Sequence, residues 1–299
     1  LHIILVRLLS MWFTTKTFAV IWGFCVSNSF FVCNVVRQVG FIYPIFLYVY
    51  IDNLITCLTN LNICCNFNDV YVNHLVYADD TVLIAPSPSS LQEFINFCSP
   101  FAKDNDIIYN LKKTKCMYIK PKWLNDLYFP GVYLNDCDIQ VVDKEKYLGA
   151  FILNNAMDDD DMCRQMRSIY ARGNALIKNF KKCTTEIKAM LFKTYCNGFY
   201  CSSLWSNYKV SSYKKIRVAY NNVFRGLMGL GRRESTSKNM IDMSIDPFIV
   251  VVRKYIVSLI SRLQCCNNLI VKTLYNWADF NDCKLLMVWR KNAYCAAVT

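Results

Sequence analysis

The sequence predicts an α+β fold, and three observations carry that expectation. Two apolar, β-branched runs flank a pair of acids between His74 and Ala85, which is a hairpin pattern. From Met162 onward the apolar residues recur at helical spacing instead. Glycine and proline are scarce, at 9 and 7 of 299 residues, so extended disorder is not expected. The length allows one large domain or two. Strand patterns give way to helical ones between Asn154 and Asp161, and the boundary is expected there.

Each element has a local reason. Residues 1–16 read as a helix with Leu5, Leu8, Leu9 and Trp12 on one face. Residues 18–36 read as strands around a Ser27-Asn28-Ser29 turn. Pro44 to about Leu58 reads as a buried helix with proline near its start. The hairpin follows at 73–85. The run Pro86-Ser87-Pro88-Ser89-Ser90 is a turn that also caps a helix from Leu91 to about Asp104, where Leu91, Phe94, Ile95, Phe97 and Cys98 are apolar. Strands are expected near 107–109, 115–119 and 146–153. Beyond Met162, Ile169, Leu176, Ile177 and Phe180 form a stripe ringed by Arg164, Arg167, Arg172, Lys178, Lys181 and Lys182. Asp246-Pro247 is a helix start for Phe248 to Leu263, with Val251, Val252, Tyr255, Leu259 and Leu263 periodic. No internal repeat or low-complexity tract is present.

The charge is uneven. Residues 162–233 hold 15 Lys/Arg and one acid, Glu186, whereas residues 1–161 hold 11 basic and 16 acidic residues. The net +12 of the whole chain is therefore concentrated in one segment. Such asymmetry suits a surface that tracks phosphates, and Tyr170, Tyr195, Tyr200, Trp205, Tyr208 and Tyr213 interleave with the cations. The plain alternative is a set of solvated helix faces. The four-acid run Asp158 to Asp161 reads as a solvated loop or a helix N-terminal cluster, because acids favour a first helical turn.

Sixteen cysteines are scattered, with no Cys-x-x-Cys pair and only His2 and His74 to complete a mixed zinc site. They read as reduced, mostly buried thiols of an intracellular, non-secreted protein. The uncharged run Thr17 to Val36 is about long enough to span a bilayer. Ser27, Asn28, Ser29 and Asn34 interrupt it, which suits strand, turn and strand better, and a membrane anchor is the third-ranked reading.

The sharpest motif is Tyr77-Ala78-Asp79-Asp80. Carboxylates beside apolar strands are costly to desolvate unless a divalent cation compensates. By itself the tetrapeptide also fits an ordinary turn, since Asp tolerates turn geometry. Its neighbours add more. Val36-Arg37-Gln38-Val39-Gly40-Phe41-Ile42-Tyr43-Pro44 precedes Phe46-Leu47-Tyr48-Val49-Tyr50-Ile51-Asp52-Asn53-Leu54; downstream come Asn110-Leu111-Lys112-Lys113-Thr114-Lys115 and Lys146-Tyr147-Leu148-Gly149. In order and spacing, 36–54, 77–80, 110–115 and 146–149 resemble the template grip, the aspartate hairpin, the N-x-x-K-T-K segment and the K-Y-L-G primer grip of reverse transcriptases from non-LTR (LINE-like) retrotransposons. The resemblance continues through Tyr170-Ala171-Arg172-Gly173-Asn174, Leu191 to Cys196 and Val218 to Arg225, and covers about Leu1 to Ile260.

The resemblance implies a partial polymerase palm over residues 1–155, a basic helical thumb over 156–233 and a helical extension over 234–299. The family activity is RNA-directed DNA synthesis, in which Mg2+ ions about 4 Å apart assist nucleotidyl transfer from a dNTP to a primer. Carried over residue by residue, Asp79 and Asp80 are metal ligands and catalytic groups, with Asp79 the more important. Lys113 assists pyrophosphate departure; its plain alternative is a solvated turn, which Asn110 would fix. Arg37, Gln38 and Tyr77, the turn Lys146, Tyr147, Leu148 and Gly149, and Arg164, Arg167 and Arg172 contact the RNA template or DNA primer. The chain also departs from the family. Its first acid is Asp52, so no carboxylate in residues 1–51 can be the second essential aspartate. Val35 and Val39 stand where the family has glycine, and Tyr43 where it has serine. The chain begins at Leu1, and the expectation is a fragment without fingers that does not polymerise alone. The alternative is a non-catalytic nucleic-acid-binding relic.

Overall fold

A computed structural model of the protein describes residues 3–15, 17–31, 43–61, 63, 65–67, 70–119, 130–231, 233–280 and 283–297. The fold is α+β. The chain forms two compact units, Leu1–Leu61 with His74–Val82, and Asn62–Asn73 with Leu83–Thr299.

The first unit opens with helix α1 (Ile3–Thr14), which ends where the Thr14 hydroxyl turns back to the Ser10 carbonyl at 2.9 Å. Leu5 and Leu8 are exposed and Leu9 is half-buried, so the expected apolar face does not form a core. Four two-residue strands follow. Strands β2 (Ile21–Trp22) and β3 (Cys25–Val26) pair inside the ladder of β1 (Thr17–Phe18) with β4 (Phe30–Phe31). The chain reverses at Gly23-Phe24 rather than at Ser27-Asn28-Ser29. Gly23 takes φ +60 there, which costs a residue without Cβ nothing. Ser27 instead pairs with Val20 through both its amide and its hydroxyl. Residues 17–31 are thus ladders, and no described helix is long and apolar enough to cross a membrane. Helix α2 (Tyr43–Asn60) buries Ile51, Leu54 and Leu58 at i, i+3, i+7 spacing. Its other face, with Val49 and Tyr50, is exposed, so the helix is buried on one side only.

Strands β5 (Cys65–Phe67) and β6 (Val70–Val72) form a ladder in the second unit. Next in the chain comes the hairpin of β7 (His74–Tyr77) with β8 (Asp80–Leu83), which belongs to the first unit up to Val82; within the second unit the Ile84 amide donates to the Asn73 carbonyl at 2.8 Å. Helix α3 (Pro88–Asp104) begins as its sequence dictates: the Ser87 hydroxyl caps the Ser90 amide at 3.2 Å, and Pro88 takes the first turn. It buries Phe94, Ile95, Cys98 and Ala102. Ile95 joins Cys116, Val132, Leu134 and Ile139 in a small core. Strands β9 (Tyr133–Leu134) and β10 (Cys137–Asp138) close over it through Asn135 and Asp136, both at positive φ. The strand expected at 107–109 is absent, and that expected at 115–119 reduces to a single bridge from Cys116 to Val141. The third expected strand is a hairpin, β11 (Lys144–Tyr147) with β12 (Ala150–Leu153). Every ladder among the described residues is antiparallel and two-stranded apart from that bridge.

The helical part is α4 (Asp159–Phe180), α5 (Thr185–Cys196), a 3-10 turn (Ser202–Leu204), α6 (Val210–Met228), α7 (Thr236–Asp242), α8 (Phe248–Gln264), α9 (Leu269–Phe280) and α10 (Lys284–Ala297). One core runs through it from Met162 to Trp289, so residues 156–233 and 234–299 share their packing. Phe192 sits edge-on to Tyr220 and Phe224, with ring centroids at 5.0 and 5.3 Å. The described cysteines are all free, yet only Cys98, Cys116 and Cys196 are buried; the expectation of mostly buried thiols fails because most cysteines lie on outer faces or in loops. Burial pushes the thiols of Cys98 and Cys196 up to about 11, so both stay protonated and unreactive at neutral pH.

Candidate functional site

In the first unit the β7–β8 hairpin turns on two residues, Ala78 and Asp79. Ala78 sits at φ 52, a left-handed conformation that an L-residue adopts at a cost. Tyr77 ends β7 and is 60% exposed; Asp79 lies in the turn, Asp80 opens β8, and both acids are exposed. The structure therefore brings Tyr77, Asp79 and Asp80 together at one tip.

The carboxylate oxygens are hard donors that suit magnesium, which takes one or two protein carboxylates with phosphate and water. Two ions side by side need a further carboxylate from a second strand. No group of three acidic, histidine or cysteine side chains that could hold a metal exists among the described residues. The pair fits part of one ion's shell and does not fit a complete two-ion centre. Arg37 and Gln38 lie outside the described residues.

In the second unit Lys113 is exposed on a turn that Asn110 holds. The Asn110 carbonyl accepts from the amides of Lys113 and Thr114, both at 2.9 Å, and its side-chain oxygen accepts from the Lys113 amide at 3.2 Å. Asn110 thus fixes the turn.

The β11–β12 hairpin presents Lys146, Tyr147, Leu148 and Gly149 at its end. Leu148 and Gly149 have φ 44 and 83, so both turn residues are left-handed, the geometry that matches strand twist in a two-residue hairpin. Lys146 and Leu148 are exposed. Gly149 rests on Tyr200: a Cβ added there would lie 3.3 Å from the ring.

The acidic run behind this hairpin starts a helix, the second of the two expected readings, and Asp160 stays open to solvent while the other three acids are engaged by the fold. Asp158 Oδ2 accepts from the amides of Ser206 and Asn207, at 2.8 and 2.7 Å. Asp159 accepts from the Lys209 amide and the Ser212 hydroxyl. Asp160 pairs with Lys144 at 2.7 Å. Asp161 is 3% exposed and accepts from the Phe151 amide, the Arg164 guanidinium and the Trp205 indole. Burial raises the Asp158 carboxyl above the usual range, against the two amides that lower it.

These contacts sort the expected cations. Arg164 is tied to Asp161 at 2.7 Å and is mostly buried. Arg172 donates to the carbonyls of Ser168 and Gly198. Arg167, Lys178, Lys181 and Lys182 are exposed. Among the aromatics, Trp205 is buried and Tyr208 stacks on Tyr213 at 5.5 Å, while Tyr170, Tyr195 and Tyr200 are open. The sequence analysis places Asp161 only within the acidic run and does not single out Gln165; both are buried polar side chains one turn apart on α4. The signal was available: a polar residue at each end of an i, i+4 pair on the apolar side of a helix.

Residues 7–152 match the family model for reverse transcriptase (RNA-dependent DNA polymerase). The match contains the Asp79-Asp80 hairpin, Lys113 and the Lys146–Gly149 turn, and ends just before α4. No curated protein matches the chain.

Proposed function

We propose, from the reverse transcriptase match over residues 7–152, that this protein derives from the RNA-directed DNA polymerase of a non-LTR retrotransposon. The observation that carries the proposal is the two-residue hairpin turn that exposes Asp79 and Asp80 side by side within the matched segment. In this reading Asp79 and Asp80 supply ligands to Mg2+, which would stabilise charge on the dNTP phosphates when bound. Tyr77 flanks the primer end, and Lys113 offers a positive charge to the departing pyrophosphate. The Lys146–Gly149 turn contacts the primer. The exposed cations of α4 and its following loop, Arg167, Lys178, Lys181 and Lys182, follow the backbone of the primer–template duplex. Asp79 and Asp80, with no third ligand beside them among the described residues, fall short of a two-ion centre, so in this reading residues 1–299 by themselves bind nucleic acid without extending a primer.

The test is paired. Binding to an RNA–DNA hybrid is followed by fluorescence anisotropy from 50 to 200 mM salt, and primer extension with dNTPs and Mg2+ is run alongside. Binding that falls steeply with salt, without extension, is expected. A flat salt response sinks the nucleic-acid assignment. Extension that survives Asp79→Asn sinks the assignment of the hairpin.

A further inference from the structure

The hairpin that ends in Leu148-Gly149 is only four residues long on each strand and has no third strand beside it among the described residues. Such a ladder is marginal alone, so something else must fix where its tip points. The N-terminal turns of α4 do this. Asp161 Oδ1 accepts from the Phe151 amide of β12 at 3.1 Å, while its Oδ2 accepts from the Trp205 indole at 3.0 Å. Arg164 closes the first oxygen at 2.7 Å. One turn on, Gln165 donates to the Tyr200 carbonyl at 2.6 Å, and Tyr200 is the ring on which Gly149 rests. Asp161 and Gln165 are 3% and 2% exposed. At one edge the Lys144–Asp160 pair adds an exposed, weaker tie.

We infer that Asp161, seconded by Gln165, is a positioning residue that fixes the Leu148-Gly149 turn against the helical part and so aims it at a primer end. The inference rests on the proposed primer contact of that turn. Asp161 touches no substrate. It holds one strand of the hairpin, and Gln165 holds the floor beneath the turn, from a single face of α4. A buried carboxylate with three donors is hard to replace, because asparagine presents one acceptor and one donor where two acceptors are needed. With asparagine, either the Phe151 amide or the Trp205 indole meets an N–H.

The whole chain is used for the test, with Asp161→Asn, Gln165→Leu and Asp161→Asn/Trp205→Phe. Three readouts are taken: helical circular dichroism, exchange of the Phe151 amide, and affinity for a recessed RNA–DNA junction against a blunt hybrid of equal length. In Asp161→Asn, faster Phe151 exchange and about tenfold weaker junction binding are expected, with blunt-hybrid binding unchanged. Adding Trp205→Phe removes the clashing indole donor and is expected to restore both. Gln165→Leu, which leaves the Asp161 bonds in place, is expected to weaken junction binding selectively, and it stands in if Asp161→Asn loses its helical signal. Equal losses on both nucleic acids, or unchanged Phe151 exchange, overturn the inference. If the wild-type chain binds neither nucleic acid, the primer-contact reading fails by itself, while Phe151 exchange still decides whether Asp161 holds the hairpin.

Discussion

Gly173 on α4 faces Val223 on α6 with no room for a methyl group: a Cβ built on Gly173 would lie 2.2 Å from Val223 Cγ1 and 2.8 Å from Cγ2. Glycine within a helix costs roughly 1 kcal/mol relative to alanine. The close crossing of the two helices offsets that cost. It also lets Ile169 and Leu176, on either side of the glycine, reach the core shared with Tyr220 and Phe224.

Gly173→Ala is therefore expected to destabilise the protein despite its better helix propensity. Overpacking of this kind costs about 1–3 kcal/mol, and the clash lies with a β-branched side chain that has little rotamer freedom. Val223→Ala makes room and is expected to recover part of the loss, so the double variant should be more stable than the two single effects added. Urea denaturation of all four proteins measures this. An alanine variant as stable as the wild type would show that α4 and α6 separate easily.

Leu148 carries the opposite kind of strain. A leucine at φ 44 costs about 1–2 kcal/mol in steric terms, and asparagine or glycine is the residue that such a turn favours. Leu148→Asn is expected to stabilise the hairpin by about 1 kcal/mol. Nucleic-acid affinity is expected to fall in the same variant, because the exposed apolar side chain at the tip is lost. Stability that rises without any change in affinity would remove Leu148 from the proposed primer contact.

Asp158 gives a pH dependence with a definite sign. Its folded carboxyl titrates above the ordinary value of 3.8, chiefly because burial disfavours the charge. Between 3.8 and that raised value the folded state holds more protons than the unfolded one. Its contribution to stability is thus complete below the ordinary carboxylate range and is lost as pH rises through the folded value. Both amide partners point to one oxygen, Oδ2, which an asparagine carbonyl can replace. Asp158→Asn is expected to be at least as stable as the wild type at pH 7, with the advantage shrinking towards pH 4. Asp158→Ala, which strands two amides, is expected to lose about 1–3 kcal/mol. A clear loss in Asp158→Asn at pH 7 would mean that the ionised form is the stabilising one.

How much of this was legible depended on the range of the interactions. The 74–83 hairpin and the start of α8 after Asp246-Pro247 follow from neighbours in the chain and formed as expected, whereas α3 starts at Pro88, three residues before the expected Leu91, because Ser87 caps it. The chain reversal at Gly23 lost to a Ser-Asn-Ser reading because both are good turn chemistry, and only pairing of Ile21 with Val26 chooses between them. Cys116 bridges Val141, 25 residues on, which no periodicity foretells. Asp158, Asp159 and Asp161 find partners between Ser206 and Ser212 or at Trp205, more than 40 residues away. A run of four acids looks solvated until that loop arrives. Trp205 likewise looked available to a base, and its indole is spent on Asp161.

Arg167 and Arg172 separate binding from folding most directly. They lie on one helix five residues apart, and both were expected to meet nucleic acid. Arg172 is engaged with the carbonyls of Ser168 and Gly198, joining α4 to the loop after α5. Arg167 is exposed and free to meet a phosphate. Arg167→Ala is expected to leave the urea midpoint unchanged and to weaken hybrid binding uniformly across sequences. It should also reduce the slope of log affinity against log salt by about one counterion. Arg172→Ala is expected to lower stability by about 1–2 kcal/mol, since a hydrogen-bonding charge is removed from two carbonyls, with a salt slope close to that of the wild type. Anisotropy across a salt series, paired with urea denaturation, distinguishes the two. If Arg172→Ala reduces the slope and Arg167→Ala does not, the nucleic acid lies across the other face of α4, next to the α5 loop.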